Sequence, residues 1–167
     1  MTFSQNKLSD EFLKYLEQNK GILYKVARSY GNNEDEIKDL IQEISIQVWK
    51  AFPKYKQEFK FSTWLYRIAL NVAISNYRKE KVRAQINSPM EDQFIQIAAP
   101  KESTQNENIQ QLYLLISEFK HFDRALMLLY LDEKSYAEIA NIMGISESNV
   151  ATKLSRLKKK LKEKFLK

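Results

Sequence analysis

Between Phe59 and Lys79 the chain carries apolar residues on two arcs of one helix. At helical spacing Leu65, Ile68 and Val72 line one face with Ala69 beside them, while Tyr66, Leu70, Ala73 and Tyr77 form a second arc. A helix with two apolar arcs needs neighbours on both sides, so this stretch is expected at the centre of a helical assembly. The narrower strip between the arcs holds Trp64, Arg67, Asn71, Ile74 and Arg78. Aromatic faces stack unpaired bases and guanidinium groups hold the intervening phosphates, so the strip suits single-stranded nucleic acid. The same pattern also fits a packed Trp64 beside solvated arginines.

The chain has only three glycines and three prolines, with abundant Leu, Ile, Lys and Glu, which points to an all-α fold. Its net charge of +6 is uneven. The last fifteen residues are densely cationic and the stretch from Glu34 to Glu43 is acidic, so two partners of opposite charge are expected. Cysteine is absent, which excludes disulfides and cysteine-based zinc sites. No apolar run approaches a membrane span and the amino terminus lacks a signal peptide's pattern. The expectation is a soluble intracellular protein with no membrane insertion.

In chain order, Phe12, Leu16, Ile22, Leu23, Val26, Ala27 and Tyr30 fit an amphipathic helix from about Ser9, bent near Gly21 and stopped at Gly31-Asn32. Asn33, followed by Glu34, Asp35 and Glu36, reads as a helix start with acids at the positive dipole end. That helix runs to about Phe52 on Ile37, Leu40, Ile41, Ile44 and Val48, and Pro53 ends it. Its outer side carries Asp39, Gln42 and Glu43 within a turn of one another, a pattern that an ordinary solvated face shares. Ser62 is a candidate cap for the central helix. From Glu80 to about Asn108 the periodicity fails around Pro89 and Pro100, which reads as a mobile linker between two domains, with Phe94, Ile95 and Ile97 able to dock only transiently.

Beyond the linker, Ile109, Leu112, Leu115, Ile116 and Phe119 share one helical face, and Ala125, Leu126, Leu128 and Leu129 belong to the next helix, with Asp123 as its candidate cap. Ser135-Tyr136-Ala137-Glu138 is a capping-box pattern, Gly144 supplies a turn, and Ser146 starts a longer helix with Val150, Leu154, Leu157 and Leu161 inward. Short helix, glycine turn and long basic helix make a helix-turn-helix, whose second helix enters a DNA major groove. Asn149, Thr152, Lys153, Ser155 and Arg156 point away from the core stripe.

These signatures resemble those of bacterial RNA polymerase sigma factors of the extracytoplasmic-function (ECF) type. Asp39-Leu40-Ile41-Gln42-Glu43 ahead of Val48-Trp49 is similar to the family's polymerase-binding helix. The run from Phe61 through Ala69, with Asn71 and Arg78, resembles its promoter-melting helix. Ser135 to Ala140 through Gly144, Val150 and Leu154 resembles its reader of the upstream promoter element. The resemblance implies a region 2-like domain over residues 1–80, a linker over 81–108 and a region 4-like domain over 109–167. It also implies that Asp39, Leu40, Gln42 and Glu43 meet the β′ subunit of core RNA polymerase. Ala51, Tyr55, Phe61, Trp64, Arg67, Asn71 and Arg78 would then contact the melted minus-ten strand. Ser148, Asn149, Thr152, Lys153, Ser155, Arg156, Lys159 and Lys160 would contact duplex at the minus-thirty-five element. Promoter DNA and an anti-sigma factor are the further partners it implies. The family usually carries Lys or Arg just after the valine that opens the recognition helix; Ala151 stands there, which places more of the reading on Thr152, Lys153 and Arg156. Ser75 replaces a common aspartate, a change expected to act locally.

The expected function is therefore a dissociable initiation factor in the cytoplasm, with no catalytic residues, no metal and no cofactor. A stand-alone helix-turn-helix regulator is the alternative, and it leaves the first domain without a role. A nuclease or recombinase would need clustered acids or an activated nucleophile. Asp39 and Glu43 lie a turn apart, but His121 is the only histidine and no third ligand is evident.

Overall fold

The computed structural model describes residues 3–87 and 107–166, and every regular element among them is helical. The expected linker residues from Pro89 to Pro100, with Phe94, Ile95 and Ile97, lie outside the described residues.

The first half contains α1 (Phe3–Gln18), α2 (Lys20–Tyr30), α3 (Glu34–Ala51), a single 3-10 turn (Phe52–Lys54) and α4 (Phe61–Asn87). The expected bend near Gly21 is a break at Asn19, just before it, where the Asn19 amide closes the last turn of α1 onto Leu16 and the Asn19 carbonyl accepts from Ile22. The start of α3 follows the sequence: Asn33 accepts from the Glu36 amide through its side chain, and the Glu36 carboxylate reaches back to the Asn32 amide. The helix carries Leu40, Ile44 and Val48 inward.

The central position of α4 is as expected. Leu65, Tyr66, Ala69, Leu70 and Ala73 are all buried, and α4 packs against α2 and α3. Two details differ. Ser62 lies inside the helix, since the Thr63 and Trp64 amides turn back to the Lys60 carbonyl, and the helix runs on to Asn87.

The second half contains α5 (Glu107–Ser117), α6 (His121–Leu131), α7 (Tyr136–Met143) and α8 (Glu147–Phe165). Lys120 occupies the position before α6, and Asp123 lies within its first turn instead of capping it. In α7 both halves of the Ser135–Glu138 capping box form. Gly144 closes that helix in the left-handed region at φ 70°, where a side chain would be strained. Ser146 caps α8, and Val150, Leu154 and Leu157 face inward. Ile109 is exposed, whereas Ile116 on the same face of α5 is buried.

The two halves touch. α4 packs on α6 and α7, α2 packs on α5 and α6, and one contiguous apolar cluster runs from Phe12 to Leu157.

Candidate nucleic-acid and polymerase interfaces

Burial of Leu40, Ile44 and Val48 turns the opposite side of α3 outward, and there Asp39, Gln42 and Glu43 are exposed. The Glu43 carboxylate accepts from Gln47 at 3.1 Å. Leu40 corrects the expectation: at 3% exposure it belongs to the core and holds the helix in place, offering no surface to a partner. Trp49 is 41% exposed on the same helix and its ring sits 4.9 Å from that of Phe12, so an aromatic surface continues the acidic face.

At the C-terminal end of α3 the chain turns into a cluster of rings. Tyr55 packs on Phe52, Phe61 and Trp64, with centroids 6.2, 5.5 and 4.9 Å away. Its hydroxyl donates to the Phe59 carbonyl at 2.8 Å, and burial with Tyr15 nearby raises its pKa, so the phenol stays neutral. Phe61 is buried and so cannot touch a strand directly; it backs the half-buried rings of Tyr55 and Trp64. Ala51 is half-buried at the end of α3. Trp64 therefore fits both sequence readings, since it is packed on one side and open on the other.

Along the same edge of α4, Arg67, Asn71 and Arg78 are exposed. The guanidinium of Arg67 lies 5.9 Å from the ring centroid of Phe59. It also donates to the backbone carbonyl of Asn141 at 2.7 Å and to the Asn141 side-chain oxygen. Arg78 Nη2 is 3.2 Å from His121 Nε2. Both cations thus reach toward the second half of the chain.

On α8, Ser148, Asn149, Thr152, Ser155, Arg156, Lys159 and Lys160 are exposed. Thr152 spends its hydroxyl proton on the Ser148 carbonyl at 3.0 Å, leaving only its oxygen as an acceptor. Lys153 is half-buried, with its ammonium 5.6 Å from the centroid of Phe122, and Lys158 sits similarly on Tyr130.

Sequence reasoning missed the polar groups between the halves. Arg124 on α6 is only 5% exposed. It donates to the Ser29 carbonyl in the last turn of α2 at 2.8 Å and to the Ser117 carbonyl at 2.5 Å, and its guanidinium lies against the rings of Tyr30 and Tyr77. Burial lowers its pKa, and no carboxylate among the described residues pairs with it; carbonyls at a helix C-terminus and two aromatic faces hold the charge instead. Its Nε has no partner among the described residues. Tyr30 donates to the His121 carbonyl at 2.6 Å, and burial drives its pKa upward. Asp132 accepts from Tyr66 at 2.5 Å and pairs with Lys25. Burial alone would raise the pKa of Asp132, but the hydrogen bonds from Lys25 and Tyr66, with Lys134 nearby, outweigh it and hold the carboxyl below its ordinary range. No group of three or more metal-ligating side chains occurs among the described residues. No described helix is long and apolar enough to cross a membrane.

Residues 15–83 match the family Sigma-70 region 2, and residues 122–161 match Sigma-70, region 4. The chain is 30% identical to the ECF RNA polymerase sigma factor SigM of Bacillus subtilis, over 84% of this chain and 86% of that one. The chain belongs to the ECF RNA polymerase sigma factors. It is also 27% identical to SigW of Bacillus subtilis, over 93% of this chain and 89% of SigW. Its fold resembles that of the sigma factor RpoE in complex with the anti-sigma factor NepR from Bartonella quintana, at a TM-score of 0.76 and 20% identity over 92% of this chain and 95% of the other. CnrH in complex with the cytosolic domain of CnrY is similar at a TM-score of 0.67 and 19% identity, over 94% and 88% of the two chains. As a sigma factor the protein directs RNA polymerase to promoters. A stand-alone helix-turn-helix regulator is not favoured, since it would leave the region 2 match without a role.

Proposed function

We propose that this ECF sigma factor distributes its work over three surfaces. Asp39, Gln42 and Glu43 on α3 dock on a basic surface of the polymerase β′ subunit through carboxylate–arginine pairs. Tyr55, Trp64, Arg67, Asn71 and Arg78, with Ala51 beside them, hold the unpaired minus-ten strand. The outer face of α8 reads the minus-thirty-five duplex through Asn149, Thr152, Ser155 and Arg156, with Ser148, Lys159 and Lys160 on the adjoining backbone. Extracting a base costs a few kcal/mol of unstacking, which an aromatic shelf flanked by an amide and two cations offsets. The protein makes or breaks no bond itself, uses no cofactor and acts in the cytoplasm. The expected boundaries of 1–80, 81–108 and 109–167 shift with the helices: α4 carries the polymerase and strand half on to Asn87, and the duplex half begins with α5 at Glu107. Its regulator is an anti-sigma factor, a reading supported by the partners named for both structural neighbours.

The observation that carries this reading is the exposed acidic face on α3, directly ahead of an aromatic shelf and an exposed Arg67–Asn71–Arg78 edge on the neighbouring helix. Its test is the double charge reversal Asp39→Lys with Glu43→Lys. Both residues are exposed, so helical content should be unchanged, whereas capture of core polymerase and promoter-directed transcription should fall together. A double variant that captures core polymerase normally would show that another surface makes the contact.

A further inference from the structure

The core stripe of α8, formed by Val150, Leu154 and Leu157, fixes which residues stand farthest out. At helical spacing the row Ser148, Thr152 and Ser155 lies opposite that stripe, and all three are exposed. Their side chains are short. A ridge of short side chains lets a helix sit deep in a groove, so the residue at the middle of the ridge reaches base edges. The neighbours of Thr152 leave it clear. Ala151 ends at its methyl group, and Lys153 is half-buried with its ammonium drawn onto the ring of Phe122, 5.6 Å from the centroid.

The Thr152 hydroxyl has a fixed polarity in that position. Its proton goes to the Ser148 carbonyl, 3.0 Å away in the preceding turn, so its oxygen remains as an acceptor only. A phosphate, which itself only accepts, gains nothing from it. In the major groove the matching donors are the N6 amine of adenine and the N4 amine of cytosine, whereas guanine and thymine present the acceptors O6 and O4 at the same places. A hydroxyl whose proton is uncommitted satisfies either class.

We propose that Thr152 is a specificity-determining residue: it selects a base with an exocyclic amine, adenine over guanine or cytosine over thymine, at one position of the upstream element. This deepens the assignment of the outer face of α8 to the minus-thirty-five duplex and rests on it. Thr152 could turn its proton toward guanine or thymine only by giving up the Ser148 bond. The preference should therefore equal the weight of one neutral hydrogen bond, about fivefold.

The test uses the full chain assembled with core polymerase. An upstream element is selected from a random duplex library, and at each of its positions adenine is then exchanged with guanine, or cytosine with thymine, in competition binding. The wild type should show one position with a preference of about fivefold for the amine base, which Thr152→Val reduces below about twofold and Thr152→Ser keeps. Valine has nearly the shape of threonine without the acceptor, serine has the acceptor without the methyl group, and the exposed site tolerates both. Replacing the amine base at that position by purine or 2-pyrimidinone, which lack the amine, should cost the wild type about fivefold and Thr152→Val less than about twofold.

A position that responds to Thr152→Val yet favours guanine or thymine in the wild type would overturn the inference. Loss of the preference in Thr152→Ser, or no responding position at all, would overturn it as well. Each of these outcomes leaves α8 as the duplex reader. A wild-type selection that returns no upstream element would instead overturn that assignment, and the inference with it.

Discussion

The two DNA-directed helices solve different problems. In α4 the residues that hold the fold and those assigned to the strand alternate: Leu65, Tyr66, Ala69 and Leu70 are buried, and Trp64, Arg67 and Asn71 stand among them. In α8 the duties are on opposite sides, with Val150, Leu154 and Leu157 inward and Asn149, Ser155, Arg156 and Lys159 outward. A helix that reads intact duplex can stand on the surface, since the groove comes to it. A helix that holds an extracted strand needs a rigid aromatic shelf, and rigidity comes from packing on more than one side.

The largest expected effect tests that difference in stability. Leu65→Ala removes a fully buried side chain at the centre of the α2–α3–α4 packing and should cost about 3 kcal/mol in urea denaturation. Lys159→Ala on the exposed side of α8 should change stability by less than about 0.5 kcal/mol. Comparable losses from the two substitutions would mean that α8 is as deeply tied to the fold as α4.

Local chemistry made much of this organisation readable. The Ser135–Glu138 box, the Gly144 turn and the Ser146 cap each act within four residues, so their spacing alone predicts the helix-turn-helix. The inward stripe of α8 and the two arcs of α4 follow from periodicity for the same reason. Leu40 and Phe61 show a limit of motif reasoning: a motif marks a surface without separating the residues that touch a partner from those that support them. The joint between the halves was not readable, because its partners are far apart in sequence, 107 positions for Lys25 and Asp132 and 66 for Tyr66 and Asp132. A signal did exist for Arg124. Five apolar residues, Ala125, Leu126, Met127, Leu128 and Leu129, follow it in α6 without a polar break, a run that marks a helix with little outward face to carry a cation.

A smaller effect sharpens the comparison through specificity. Arg156→Ala should cost about 1 to 3 kcal/mol on the preferred upstream duplex and little on unrelated sequence, because a guanidinium in the major groove pairs with a base edge. Lys159→Ala and Lys160→Ala should weaken all duplexes alike and reduce the salt dependence, as phosphate contacts do. Both classes of change should leave urea denaturation midpoints nearly unaffected. A uniform loss from Arg156→Ala would make it a phosphate contact.

The smallest effect concerns the His121 end of the joint, where α4 and α6 meet. The imidazole pKa is lowered, first by burial and then by Arg78, Lys81 and Arg124, while Asp123 acts in the opposite direction. Tyr77 packs on the same ring and Tyr30 bonds the backbone carbonyl of His121. In the docked chain the neutral ring can accept from Arg78 through Nε2; protonation would turn that acceptor into a donor facing a cation. The group's contribution to docking is therefore complete above its ordinary pKa of 6.5 and is lost as pH falls from there through the lowered value. Fluorophores reporting the separation of the halves should show a modest shift toward greater separation between about pH 7.5 and 5.5, a range in which histidine is the main titrating side chain. His121→Gln, which keeps a neutral amide near Arg78, should make the separation insensitive to pH over that range. An equal pH response in the variant would move the switch elsewhere in the joint and leave His121 with only its backbone bond to Tyr30.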